Sequence, residues 1–136
     1  MNITTKIIHS GFDGKTCWVH ARPAVIPASD GGGPVILITA YPLRLTGDDV
    51  FYTTHTMYSD DLGTTWTEFI PSEETLGRRK ISGGREEVAS DLMPAWHEAT
   101  QTILMTGHTV VYKDDKIAPG FRPRSTVWTT MDIKNR

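Results

Sequence analysis

The alternation of short apolar runs with turn-forming residues along the chain is typical of β-structure. The apolar runs are rich in β-branched and aromatic residues, and 12 glycines and 8 prolines interrupt them often, as expected where turns join strands. In an alternative prediction, the run Thr102–Tyr112 forms two strands that are divided near Gly107-His108. We predict strands at Lys6–His9, Cys17–Pro27, Pro34–Tyr41, Val50–Ser59, Thr65–Ile70, Thr102–Tyr112 and Ser125–Met131.

Other segments refine this pattern. The run Val35–Ile38 is continuously apolar, which is expected of a strand that is buried on both faces. The main helical signal is Ser72–Leu76, where the serine is suited to cap a single turn and Gly77 to end it. We expect Arg78–Arg85 and Lys113–Pro123 to be exposed loops, because both are polar and contain glycine or proline.

Composition and charge limit the class of protein. With 136 residues and a hydrophobic fraction of 38%, the chain has enough apolar material for a single domain spanning residues 1–136. Lys and Arg number 14 against 16 Asp and Glu, so we expect no nucleic-acid partner. No apolar run reaches the roughly 20 residues of a membrane helix, so we expect no membrane partner either.

The cysteine and histidine content gives no indication of a metal site. Cys17 is the single cysteine, which excludes an internal disulfide and a cysteine-rich zinc site. The histidines show no ligand pairing at i, i+4, so we expect no metal. No P-loop or dinucleotide-binding fingerprint is present, so we expect no cofactor. The segment Met1–Lys6 lacks the order of a signal peptide, so the cytoplasm is the default expectation for localisation.

The most specific motif is Ser59–Trp66, which has the form Ser-x-Asp-x-Gly-x-Thr-Trp. It predicts a hairpin turn. Ser59 and Asp61 are suited to bind nearby backbone N–H groups, and Gly63 permits a positive φ. Trp66 is suited to cover the turn with its ring. These are structural roles, and we assign no chemistry to the motif.

These residues resemble the Asp-box, or BNR repeat, of the sialidase (neuraminidase) family and related β-propellers. Cys17–Pro27 is similar to the first inner strand of that family, which carries an Arg-Ile-Pro signature, although here Arg22 is followed directly by proline. Pro34–Tyr41 resembles the second strand, and Asp91–Leu104 resembles the start of the second blade. The resemblance implies an all-β, six-bladed propeller of antiparallel four-stranded blades, of which this chain would supply about two to three.

The same resemblance implies site residues. Arg22 would hold a substrate carboxylate through its guanidinium fork, with Arg44 as a second arginine. Asp48 or Asp49 would be the catalytic acid/base, and we favour Asp49 because it lies beside the predicted strand start. Each has a structural alternative, the arginines as surface residues and the adjacent aspartates as ordinary turn residues.

The implied function is that of an exo-α-sialidase, a retaining glycoside hydrolase that releases terminal sialic acid from glycoconjugates with a Tyr nucleophile. The implied partner is a glycan or sialoside-type carbohydrate. No tyrosine here matches the late nucleophile position of that family, so we expect an N-terminal part, incomplete at its C-terminus and inactive alone. The alternative is a non-catalytic Asp-box propeller that binds glycans or proteins.

Overall fold

The computed structural model describes residues 1–28, 31–120 and 124–132. They form two antiparallel five-stranded sheets, which remain open within this part of the chain, and a short helix, α1 (Glu73–Leu76). The first sheet contains β1 (Thr16–Ile26), β2 (Val35–Leu45), β3 (Asp49–Phe51), β4 (His55–Ser59) and β5 (Ile70–Pro71). The second sheet contains β6 (Arg79–Ile81), β7 (Arg85–His97), β8 (Thr102–Lys113), β9 (Lys116–Ile117) and β10 (Thr126–Met131).

The long second strand organises the first sheet. The strand order is β1-β2-β4-β5, and β3 pairs with the last residues of β2. The predicted apolar run lies on β2, where Leu37 is fully buried and its neighbours Val35, Ile36 and Ile38 are partly buried. Burial on both faces is therefore incomplete, because Ile38 faces a shallow cleft beside Trp18 instead of a second layer.

The second sheet has the strand order β10-β8-β7-β6, with β9 paired to β8. Its centre is the hairpin of β7 and β8, which remain paired from Glu86 and Tyr112 to His97 and Thr102. One cluster of buried apolar side chains joins the two sheets, and Leu37, Tyr41, Leu92 and Met105 belong to it. Most contacts between the sheets are made by β1 and β7, so these two strands form the seam of the structure.

Both seam strands contain a β-bulge. Between Val19 and Arg22, β1 has one residue more than β2, and between Ser90 and Met93, β7 has one residue more than β8. The residue opposite the second bulge is Gly107. A Cβ there would lie 2.5 Å from the carbonyl oxygen of Ser90, so any larger residue at this position would displace the bulge.

Two buried tyrosine hydroxyls link the sheets in opposite directions. The hydroxyl of Tyr41, from the first sheet, accepts the backbone N–H of Leu92 in the second sheet at 2.8 Å. The hydroxyl of Tyr112, from the second sheet, accepts the N–H of Phe51 at 3.0 Å and donates to the carbonyl of Asp49 at 2.6 Å. Both tyrosines are 0% exposed, and burial raises the pKa of each phenol, so both hydroxyls stay neutral.

The turn at Ser59–Trp66 forms with the predicted hydrogen bonds. The Asp61 carboxylate accepts the N–H of Thr65 at 2.8 Å and its hydroxyl at 2.7 Å, and the Ser59 hydroxyl accepts the N–H of Gly63 at 2.7 Å. Gly63 has φ 89°. The indole Nε1 of Trp66 donates to the Gly63 carbonyl at 3.1 Å, with the ring against the glycine, which confirms the predicted turn.

The predicted all-β class is confirmed, but not every predicted strand is. Lys6–His9 is wrong, since it has no strand pairing; His9 instead packs its ring against Trp18 and Phe69. Thr65–Ile70 is also wrong, because pairing resumes only at β5. Thr67 donates its N–H to the Tyr58 carbonyl at 2.9 Å, but its hydroxyl, instead of its carbonyl, accepts the N–H of Tyr58 at 3.0 Å, which interrupts the ladder.

Two predicted loops contain sheet structure. Arg78–Arg85 contains β6 and the first residue of β7, so the prediction of a loop is wrong. β6 and β7 form a hairpin that complementary charges support, since Arg79 lies opposite Glu87 and forms an ion pair with it. Lys113–Pro123 contains β9, and its residues 121–123 lie outside the described part. The Val50–Ser59 strand is divided into β3 and β4, whereas Thr102–Tyr112 lies within a single strand, β8.

The Asp61 interactions predict a specific loss of stability in acid. Hydrogen bonds, first from the N–H of Thr65 and then from its hydroxyl, lower the pKa of Asp61 from 3.8 to about 2. The folded-state pKa is depressed, so the stabilisation is present above pH about 4 and is lost as the pH falls towards 2. Unfolding in urea should therefore show a steeper decrease between pH 4 and 2 for the wild type than for Asp61→Asn.

A second variant tests the cause of that decrease. Thr65→Val removes the hydroxyl donor but keeps the backbone donor, so its slope should fall between those of the wild type and Asp61→Asn. Equal slopes for all three proteins would mean that the turn does not hold the Asp61 carboxylate in the ionised state.

Candidate functional site

Arg22, the predicted carboxylate-binding arginine, lies on β1 directly after the bulge. Its guanidinium donates to the Asp91 carboxylate of β7 at 2.8 Å, and the two side chains are 35% and 31% exposed. The arginine therefore lies at the seam with one carboxylate already bound, and part of its donor set faces solvent.

Arg44, the second predicted arginine, lies near the end of β2 and forms an ion pair with Asp115. The other oxygen of Asp115 accepts from Arg78 at 2.6 Å. Arg78 also donates twice to the Phe51 carbonyl, at 3.0 and 3.1 Å, and lies over the Tyr112 ring. The hydrogen bond from Arg78, followed by the charges of Arg78 and Arg44, lowers the pKa of Asp115. This arrangement is typical of a structural ion-pair network.

Of the predicted acid/base candidates, Asp48 lies in the turn that leads into β3, and Asp49 is the first residue of β3. Both residues are exposed, and neither carboxylate makes a hydrogen bond or ion pair with the described residues. The backbone is more firmly held, since the Asp49 carbonyl accepts the Tyr112 hydroxyl. The choice between the two residues stays a prediction.

The structure brings some of the predicted residues together but not all of them. Arg44, Asp48 and Asp49 lie at one end of the first sheet, where Leu45 pairs with Asp49. Arg22 pairs with Thr39, five residues before Arg44, which places it about 17 Å away along the strand. The predicted constellation is therefore divided between the seam and the end of the sheet.

A different group of side chains converges on Asp91, the partner of Arg22. We use the name seam cluster for His20, Arg22, Asp91, His108 and Arg124. His20 and Asp91 are the first residues of the two bulges and have φ of 55° and 54°, a region that is uncommon for residues other than glycine. The His20 Nδ1 atom lies 3.7 Å from the Asp91 carboxylate. Bulges of this kind re-aim side chains and are common beside active sites.

His108 and Arg124 complete the seam cluster. His108 pairs with Ser90, directly before Asp91, and the Arg124 guanidinium donates to its Nε2 atom at 2.8 Å. Because Arg124 can only donate, this nitrogen is the unprotonated one. Burial, followed by the positive charge of Arg124, lowers the pKa of His108, and Asp91 opposes this shift. The imidazole is therefore neutral at neutral pH.

Reasoning from the sequence missed His20, Asp91, His108 and Arg124 as members of one site. One signal was present in the sequence. His20-Ala21-Arg22-Pro23-Ala24 and Asp91-Leu92-Met93-Pro94-Ala95 both place Pro-Ala three residues after the left-handed residue. This short repeat marks equivalent bulges, but the pairing of β1 with β7 across the seam could not be read from the local pattern.

The described residues also line a cleft beside the seam cluster, to which His20 contributes. This cleft of about 350 Å³ lies on the outer face of the first sheet, where Trp18 stacks on Phe69 with ring centroids 4.3 Å apart. No group of three or more His, Cys, Asp or Glu in the described ranges is arranged to hold a metal ion.

None of the described residues forms a helix with the length and apolar character needed to cross a membrane.

Comparisons of this chain with protein-family models, with curated proteins and with solved structures found no match. The class that the structure itself defines is an all-β protein of two packed antiparallel sheets with a polar, charged cluster at their seam.

The pKa of His108 tests whether the seam cluster forms as described. Replacing Arg124 by Gln removes a positive charge, so the pKa of His108 should rise relative to the wild type. Asp91→Asn removes a negative charge, so the pKa should fall. The measurement is an NMR titration of the imidazole protons, with the exposed Arg79→Gln as control. Shifts in the same direction for both variants, or no shift in either, would contradict the cluster.

Proposed function

We propose that this chain is part of a sialidase-like glycoside hydrolase, with its two sheets serving as adjoining blades of a six-bladed propeller. The observation that carries the proposal is the Asp-box turn. Its five specified residues make the hydrogen bonds and ring contact of a clamped hairpin, and this turn joins β4 to β5, the edge strand beside it in the first sheet.

The position of the turn supports the proposal as well. Ser59 pairs with Ile36 near the start of β2, whereas Asp49 pairs with Leu45 at its end. The turn and the predicted acid/base aspartates are thus about 30 Å apart along β2, at opposite ends of the sheet. An Asp-box that faces away from the substrate agrees with the sialidase-like arrangement and leaves the other end free for chemistry.

In this proposal the chain supplies part of a sialidase site. Arg22 contributes guanidinium donors to the sialic acid carboxylate. Asp48 or Asp49, with Asp49 preferred, is the predicted acid/base for the glycosidic oxygen. Asp49 lies about 20 Å from Arg22 along β2, and the carboxylate and the glycosidic oxygen share one carbon of the sugar, so the two roles are alternatives for a sugar bound in this arrangement. Arg44 supports the same end of the sheet. The nucleophile and further arginines come from outside these residues, so the chain alone binds weakly and does not turn over substrate.

One observation favours the second candidate function, a non-catalytic Asp-box propeller that binds glycans or proteins. Both predicted arginines already have carboxylate partners, Arg22 with Asp91 and Arg44 with Asp115. An ion-paired arginine has less free charge for a substrate carboxylate. A glycan-binding surface does not need that charge and would recognise neutral sugars equally well.

The test combines a hydrolysis assay with a binding assay on the purified chain. We expect no turnover of a fluorogenic sialoside and weak, NMR-detected binding of N-acetylneuraminic acid. Arg22→Ala should weaken binding about tenfold or more, since a hydrogen bond to a charged group contributes about 1.5–3 kcal/mol. The exposed Arg79→Gln should not alter it.

The other outcomes separate the candidates. Binding of neutral galactosides that does not depend on Arg22 would support the non-catalytic propeller. Rapid hydrolysis that disappears in Asp49→Asn would show that the chain is sufficient for catalysis and would overturn the expectation that it is inactive alone.

A further inference from the structure

The seam cluster carries an imbalance of charge. Two guanidinium groups, Arg22 and Arg124, are opposed by one carboxylate, Asp91. Arg22 holds that carboxylate at 2.8 Å, whereas Arg124 donates to the neutral His108 ring. Within the described ranges, Arg124 forms no ion pair with a carboxylate. A half-buried guanidinium without a counter-ion is costly unless an anion neutralises it.

Four elements contribute the charged and titratable groups of the cluster. β1 contributes His20 and Arg22, β7 contributes Asp91, β8 contributes His108, and the segment before β10 contributes Arg124. From β2, Tyr41 presents a hydroxyl that is already bonded to Leu92. With His108 neutral, the two guanidinium groups and the Asp91 carboxylate give the cluster one net positive charge, which a single negative charge would balance.

We propose that the seam cluster is a binding site for the carboxylate of a small organic acid, held mainly by Arg124 with His108 beside it. A carboxylate matches the planar guanidinium fork and supplies the single negative charge that balances the cluster. A phosphate dianion would exceed that charge and would be repelled by Asp91. The site needs no glycosidic bond, so it does not rest on the proposed hydrolase function.

Protonation of the cluster strengthens binding. The positive charge of Arg124 disfavours the protonated form of His108. A bound carboxylate neutralises that charge and therefore raises the pKa of His108. By linkage, the protonated form binds the anion more tightly, and affinity increases as the pH falls through the pKa of His108.

The experiment is an NMR titration of the whole chain with acetate, glucuronate and N-acetylneuraminate, repeated with inorganic phosphate and with the methyl ester of N-acetylneuraminate. We expect the three carboxylates to shift the His108 signals, with affinity increasing below neutral pH. The ester should not shift them, and phosphate should bind more weakly than the carboxylates. Preference among the three acids identifies the source of the carboxylate.

Variants of Arg124 locate the site. Arg124→Gln should weaken carboxylate binding about tenfold or more, and Arg124→Lys should retain part of it because the charge remains without the fork. Arg79→Gln should bind like the wild type. Thermal unfolding of each variant shows whether it is folded, and Arg124→Lys provides the test if Arg124→Gln is not.

Three results would overturn the inference: no binding of any carboxylate by the folded wild type, equal binding by Arg124→Lys, Arg124→Gln and the wild type, or tighter binding of phosphate. These results are distinct from failure of the proposed function. Binding of acetate and glucuronate through Arg124, with no preference for sialic acid, would keep the seam site and reject the sialidase proposal.

Discussion

The structure depends on two tyrosine hydroxyls that each satisfy the backbone of the opposite sheet. Tyr41 accepts the N–H of Leu92, and Tyr112 bridges the N–H of Phe51 and the carbonyl of Asp49. A hydrogen bond of this kind contributes only about 1 kcal/mol net, but a buried donor left without a partner costs about 1–3 kcal/mol. The apolar core alone does not fix how the sheets are aligned, whereas these bonds hold only in one alignment.

That alignment determines the chemistry at the seam. The Tyr41 hydroxyl bonds to Leu92 inside the β7 bulge, so the bulge cannot shift without breaking a buried hydrogen bond. The bulge in turn places Asp91 against Arg22. Gly107 leaves room for the bulge carbonyls. The packing of the sheets, the absence of a side chain at Gly107 and the Tyr41 hydroxyl therefore together determine where the Asp91 carboxylate lies.

Structure formed by residues that are close in the sequence could be predicted, whereas contacts between distant parts of the chain could not. The turn at Ser59–Trp66 could be predicted because its hydrogen bonds connect residues within a few positions of one another. β6 and the first half of β7 were missed because their many charged residues do not give the apolar pattern of a strand. The predicted strand Thr65–Ile70 was wrong for another reason, the hydrogen bond between the Thr67 hydroxyl and the backbone of Tyr58. Arg22 was predicted as a site residue. Its contact with Asp91 could not be predicted, because Asp91 lies on the other sheet and the spacing of the two residues in the sequence does not indicate a contact.

The most direct test of this account is amide hydrogen exchange at Phe51 and Leu92, the two N–H groups that the tyrosine hydroxyls accept. Both amides should be protected to the level of the central strand amide of Leu37 and should exchange only on global unfolding. In Tyr112→Phe, the Phe51 amide should lose much of its protection while the Leu92 amide remains protected. Exchange of both wild-type amides as fast as that of the exposed Gly47 would contradict the proposed alignment of the sheets.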